Sequence, residues 1–118
     1  MLIRIDPGSS APLGEQIAAS VRRALADGAI ATGERLPAAR DVAQLLGVNV
    51  HTVLRGYQQL RSEGLIDLRR GRGAVVVAAP ARARLQMAAA QLVTEAREAG
   101  FSESGTIELL RSAWTGGS

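Results

Sequence analysis

The stretch "DVAQLLGVNVHTVLRGYQQL", residues 41–60, constrains the fold more than any other part of the chain. Val42, Ala43, Leu45 and Leu46 are the apolar residues of a short helix spanning about residues 38–46, and Gly47 ends it because glycine accepts the left-handed conformation that follows many helices. Asn49 is placed to cap a second helix that runs to "SEG" at 62–64. Two helices joined by a short glycine-containing turn have the spacing of a helix-turn-helix.

On a helical wheel of residues 50–63, Val50, Val53, Leu54, Tyr57 and Leu60 fall within one arc of about 120° that is expected to face a core. His51, Arg55, Gln58 and Ser62 gather opposite, flanked by Thr52 and Gln59. Reading base edges in a major groove requires such a row: arginine grips guanine in a bidentate way, and histidine, threonine and glutamine donate or accept. Any amphipathic surface helix also has a polar face, so this row acquires meaning only from its surroundings.

Those surroundings are mostly helical. "LIRI" (2–5) alternates weakly before "DPGS" and predicts a short strand and turn. Pro12 suits a helix start, and Leu13, Ile17, Val21 and Leu25, with Ala18 and Ala24, trace a core stripe that stops at "DGAIATG". Glu15, Arg22 and Arg23 are expected on the solvated face of that helix. "LIDL" (65–68) and "GAVVVA" (73–78) predict two strands around the tip "RRGRG" (69–73), three arginines in five residues. The glycines there let the backbone approach a phosphate or a groove closely. Arg35 and Arg40 flank the start of the 38–46 helix, where a helix dipole favours phosphate, unless they pair with Glu34 or Asp41 on the surface.

"AAPARA" (78–83) reads as a stiff linker. Beyond it, Leu85, Ala88, Ala89, Leu92, Val93 and Ala96 form a helical stripe ending at Gly100. Ser102 is placed to cap a last helix carrying Ile107, Leu110 and Trp114, before "TGGS" frays. The organisation expected is therefore one domain at 1–79 and a helical module at 80–118. The module is too short to stand alone, so pairing with a second copy is expected through Leu85, Leu92, Val93, Ile107, Leu110 and Trp114. Its scattered polar groups offer no convincing effector pocket.

Composition narrows the chemistry. All fourteen basic residues are arginines, so no lysine is available for a Schiff base, and the absence of cysteine removes thiolate metal sites and disulfides. A single histidine makes a metal site a poor expectation, and no nucleophile and base pair stands out. Neither a signal peptide nor a membrane span is visible, and the expected location is the cytoplasm. The formal net charge of +3 falls within residues 1–79, a balance compatible with a polyanionic partner. Two competing classes remain: a fragment of an aminotransferase-like fusion, disfavoured by the missing lysine, and a protein-binding winged helix, disfavoured by the basic tip.

With these segments in order, residues 12–76 resemble the winged helix-turn-helix domain of the GntR family of bacterial transcription regulators. The resemblance is carried by "G-x-R-L-P", the "L-G-V-N" turn, "T-V-x-R-x-Y-x-x-L", "E-G-L-I" and "G-R-G" at family spacing. The asparagine after "GV", the "TVLRGY" segment, the N-terminal strand and the short helical tail are similar to the YtrA subfamily, whose two-helix C-terminal module serves dimerisation. The resemblance implies a mainly α fold with a small β hairpin and a homodimer, a repressor by kinship, reading a palindromic operator in double-stranded DNA without a cofactor. It further implies that Arg35 and Arg40 contact DNA, that Asn49, His51, Thr52 and Arg55 face the major groove, and that Arg70, Arg72 and Gly73 place a wing in the minor groove. Ala38 stands where the family usually has a serine cap, Val50 where the subfamily often has proline, and His51 where asparagine or threonine is common. These departures bear on the operator sequence rather than the fold.

Overall fold

The computed structural model describes residues 3–116, and the chain divides after Gln86 into two compact units. The first contains α1 (Leu13–Ala26), α2 (Ala39–Leu46), α3 (Val50–Ser62), β1 (Ile66–Arg69), β2 (Gly73–Val76) and the first turns of α4 (Pro80–Glu98). The second holds the rest of α4 and α5 (Glu103–Gly116).

The expected stripe of α1 is buried at Ile17, Ala18, Val21 and Leu25. α3 crosses it at a pair of glycines. A Cβ on Gly56 would stand 2.7 Å from the Gly14 carbonyl oxygen, and one on Gly14 would stand 3.1 Å from that of Thr52. Only a residue without a side chain allows this approach, and the apolar periodicity of α3 gave no hint of Gly56. α2 ends at Gly47 with φ of 69°, and Asn49 Oδ1 accepts from the His51 N–H at 2.8 Å, both as expected.

Several expectations are corrected. No strand forms at residues 3–5, and Leu2 lies outside the described residues. The segment instead satisfies its backbone on α1 side chains: the Arg4 N–H donates to Ser20 Oγ at 3.0 Å and the Asp6 N–H to Gln16 Oε1 at 2.6 Å. Arg22 is not solvated; it is 7% exposed, and its Nε and Nη2 donate to the two Glu63 carboxylate oxygens at 2.8 and 2.7 Å. Leu45 is 77% exposed on α2, whose buried residues are Val42 and Ala43. "AAPARA" is no linker, because Pro80 opens α4 at the position where a missing N–H costs nothing, and Ala83 is fully buried.

β1 and β2 pair antiparallel, Ile66 opposite Val76 and Arg69 opposite Gly73. The loop 33–36 runs along the free edge of β2: the Gly33 and Leu36 N–H groups donate to the Val76 and Ala74 carbonyls at 2.7 and 2.8 Å. The Val76 N–H returns a bond to Glu34 O at 2.9 Å. This edge covers what would otherwise be an open strand.

In the second unit, Gly100 adopts φ of 81° after α4, and Ser102 Oγ caps α5 by accepting from the Gly105 N–H at 3.1 Å. A groove of about 430 Å³ between α4 and α5 is lined by Leu92, Val93, Phe101, Ile107 and Leu110 among others. No residue of α5 is buried. Thr115 and Gly116, expected to fray, are helical, and the last two residues lie outside the described residues.

Candidate nucleic-acid interface

α3 is held by its buried face: Val53, Gly56, Tyr57 and Leu60 pack inward. That fixes what the other face presents. Asn49, His51, Arg55 and Gln58 are exposed and Thr52 is half-buried, so the expected polar row is accessible. One member of the expected apolar arc departs from it. Val50 is half-buried and packs against the core, whereas Leu54 is 38% exposed.

Leu54 is exposed because it lines a surface depression rather than the core. That depression also takes in Arg35 to Ala39, Tyr57, Leu68 to Arg70, Gly73 and Ala74. Leu54 and Tyr57 of α3, the loop before α2 and the hairpin therefore meet at one concave surface. A second hollow joins Thr52, Arg55 and Gln59 of α3 to Pro12, Leu13, Gly14 and Glu15 at the start of α1.

One buried contact sets the loop against α3. Tyr57 Oη donates to the Pro37 carbonyl at 2.6 Å, and burial pushes the phenol up to about 12. Arg35 lies two residues before that anchor, bridged to Val75 of β2 through its backbone. Arg40 sits in the first turn of α2. Its N-cap residue, Ala38, offers no side-chain cap, so the first amides of α2 keep no side-chain partner. Among the described residues neither Arg35 nor Arg40 forms an ion pair, Glu34 and Asp41 notwithstanding.

The hairpin tip turns at Arg70 to Arg72, where the Arg72 N–H donates to Arg69 O at 3.0 Å and Gly71 and Gly73 take positive φ. Its three arginines are not equivalent. Arg69 Nε lies 3.4 Å from Asp67 Oδ2, a half-exposed pair of little energetic weight, whereas Arg70 and Arg72 are exposed without an ion pair among the described residues.

The apolar residues singled out for self-association fall into different places. Leu92, Val93, Ile107 and Leu110 line a groove of the second unit. Leu85 belongs to the first unit and is 70% exposed, and Trp114 is 85% exposed on α5 away from the groove lining. Sequence reasoning missed Leu54, the Gly14–Gly56 crossing and the Tyr57–Pro37 anchor. Only the tyrosine, polar-tipped within an apolar arc, carried a signal that could have found its contact. Among the described residues no group of His, Asp and Glu could hold a metal, and no helix is long and apolar enough to cross a membrane.

Three helices, a hairpin edged by a third extended segment and an exposed polar row on the third helix define a winged helix-turn-helix protein. Residues 13–76 match the family of bacterial regulatory proteins of gntR type, and the chain belongs to that GntR family, in its YtrA subfamily. It is 37% identical over 75 residues to the HTH-type transcriptional repressor YtrA of Bacillus subtilis, a match covering 64% of this chain and 58% of that repressor. An HTH-type transcriptional regulator of Mycobacterium tuberculosis is 34% identical over 110 residues, covering 92% of this chain and 90% of that one. Among solved structures, YtrA from Sulfolobus acidocaldarius, a GntR-family transcription factor, is 33% identical with a TM-score of 0.63 and covers 80% of this chain and 99% of its own. These relatives are named as transcription regulators, in agreement with the expectation that the chain is not an enzyme.

Proposed function

We propose that the chain is a cytoplasmic, homodimeric transcriptional repressor that reads a palindromic operator. α3 enters the major groove, where Arg55 reads a base edge and Asn49, His51, Thr52 and Gln58 supply further donors and acceptors. Arg35 and Arg40 neutralise flanking phosphates, and Arg70, Arg72 and Gly73 carry the wing tip to the adjacent minor groove. The observation that supports this most is the depression that joins α3, the Arg35 loop and the hairpin, whose lining includes Arg35 and Arg70, neither in an ion pair among the described residues. The module 80–118 brings two copies together through Leu85, Leu92, Val93, Ile107, Leu110 and Trp114, and the symmetric pair reads two half-sites.

Fluorescence anisotropy of arginine variants on operator and random duplexes tests the assignment. Arg55→Ala is expected to weaken operator binding about 10- to 100-fold, with a much smaller effect on random DNA. Arg72→Ala is expected to weaken both alike and to reduce the salt slope by about one. Equal losses on both duplexes for Arg55→Ala would sink the base-reading role of α3.

A further inference from the structure

α3 carries one large apolar side chain that its own fold leaves open. Val53, Tyr57 and Leu60 are buried and Val50 packs against the core, but Leu54 keeps 38% of its surface exposed. On a wheel at about 100° per residue, Leu54 stands about 60° from His51 and about 40° from Gln58, whereas Thr52 stands about 100° from His51 on the other side. Leu54 is therefore nearer the middle of the polar row than Thr52 is. It is also the fifth residue of α3, in the N-terminal part of the helix, where the side chains of a recognition helix meet base edges.

The surroundings of Leu54 combine apolar surface with positive charge. The depression it lines includes Pro37, Leu68 and Ala74 together with Arg35 and Arg70, neither in an ion pair among the described residues, and no acidic residue lines it. A DNA duplex satisfies both parts of such a surface. Its phosphates suit the arginines, and its major groove offers one apolar group to the leucine.

That group is the 5-methyl of thymine. The other features of the base edges in the major groove are hydrogen-bond donors and acceptors. A leucine pressed against one of these strips it of water and returns no hydrogen bond, an unfavourable exchange. Against a thymine methyl, the same side chain covers apolar surface with apolar surface. A single leucine within a row of hydrogen-bonding side chains thus favours thymine and opposes the other bases.

We infer that Leu54 is a specificity-determining residue of α3, selecting thymine at one position of each half-site through its 5-methyl group. The inference rests on the reading of α3 as the helix that enters the major groove. Leu68 is exposed to a similar degree, 37%, in the same depression, but it belongs to β1 and supplies a control.

The test uses the full chain and the duplex it selects from random DNA. Each thymine of a half-site is replaced in turn by deoxyuridine, which removes the methyl and keeps every donor and acceptor of the base. Affinities are read by fluorescence anisotropy. At least one replacement is expected to weaken the wild-type chain about threefold to fivefold, the effect of one buried methyl. In Leu54→Ala that loss is expected to vanish, and selection with this variant is expected to relax at the same position. Leu54→Gln, which preserves the length of the side chain, takes the place of the alanine variant should that one melt early. Leu54→Met, which keeps an apolar tip, is expected to retain the preference for thymine, and Leu68→Ala to leave it intact. A structural role for Leu54 would weaken both duplexes together and leave their ratio unchanged, which overturns the inference. A wild-type chain that no deoxyuridine weakens overturns it too, as does a Leu68→Ala variant that loses the preference. In each of these cases the entry of α3 into the major groove still stands if Arg55→Ala loses operator binding selectively. A wild-type chain that selects no sequence at all overturns that entry, and the role of Leu54 with it.

Discussion

The two units differ in what they do with the same kind of apolar stripe. In the first, Ile17, Ala18, Val53 and Leu60 are wholly buried in a core built from α1, α2, α3 and the hairpin, to which α4 adds Ala83. In the second, α5 buries no residue, and Leu109, Leu110 and Trp114 remain exposed. Charge divides the same way: residues 1–86 carry twelve arginines against seven acidic residues, and residues 87–118 two arginines against four glutamates. One region closes its own core and turns a basic surface outward. The other is apolar, acidic and unfinished, as expected of a surface completed by a second copy.

The comparison holds only if the first unit is stable by its own contacts, and its largest single test is Glu63→Ala. The variant leaves the Arg22 guanidinium, 7% exposed, without its bidentate partner. Removing one member of a buried pair costs about 3–5 kcal/mol. Urea unfolding of the first unit is expected to show a loss of that order. A loss below about 1 kcal/mol would mean that the pair is solvated in practice and the core less closed than described.

A smaller effect separates the units by pH. Burial raises the Tyr57 phenol from its ordinary value near 10 to about 12, so the folded state holds its proton more tightly than the unfolded chain does. Stability from this source is fully present below pH 10 and is lost as pH rises toward 12, by roughly 3 kcal/mol over the window. The chain has one tyrosine, no cysteine and no lysine, so few other groups obscure the effect. Unfolding midpoints measured from pH 9 to 11.5 are expected to fall, in step with phenolate absorbance, and the fall should vanish in Tyr57→Phe. A flat profile in the wild type would place the phenol in water.

How far the sequence reached can be seen in these same residues. Local rules found what local rules govern: the Gly47 end of α2, the Asn49 cap, the apolar stripe of α1 and the basic hairpin tip. They failed where a partner lies far along the chain. Arg22 looked like a surface charge because Glu63, 41 positions away, is invisible to helix periodicity. Leu54 fell within the apolar arc of α3, but a wheel records direction and not which neighbour stands there. The strand expected at the N-terminus failed for a related reason, since alternation says nothing about whether a neighbouring strand exists to pair with. "AAPARA" was misread because composition suggested a spacer, while the buried Ala83 and the proline at the first helical position make it a docked helix start.

The smallest expected effect on stability is also the one that finishes the comparison. Leu110→Ser with Trp114→Ser removes two side chains that are largely exposed and make no part of the core of the first unit. Surface changes of this kind shift unfolding within about 0.5 kcal/mol. The melting of the first unit and its affinity for an isolated half-site are therefore expected to stay as they are. Self-association is expected to fall, because an exposed indole and leucine on a helix with no buried residue are the groups a second copy would cover. Light scattering at micromolar concentration should move from dimer to monomer, and the advantage of a palindrome over a half-site should shrink accordingly. A variant that remains dimeric would show that α5 is not the surface of pairing. A variant whose first unit melts early would show that the two regions share a core after all.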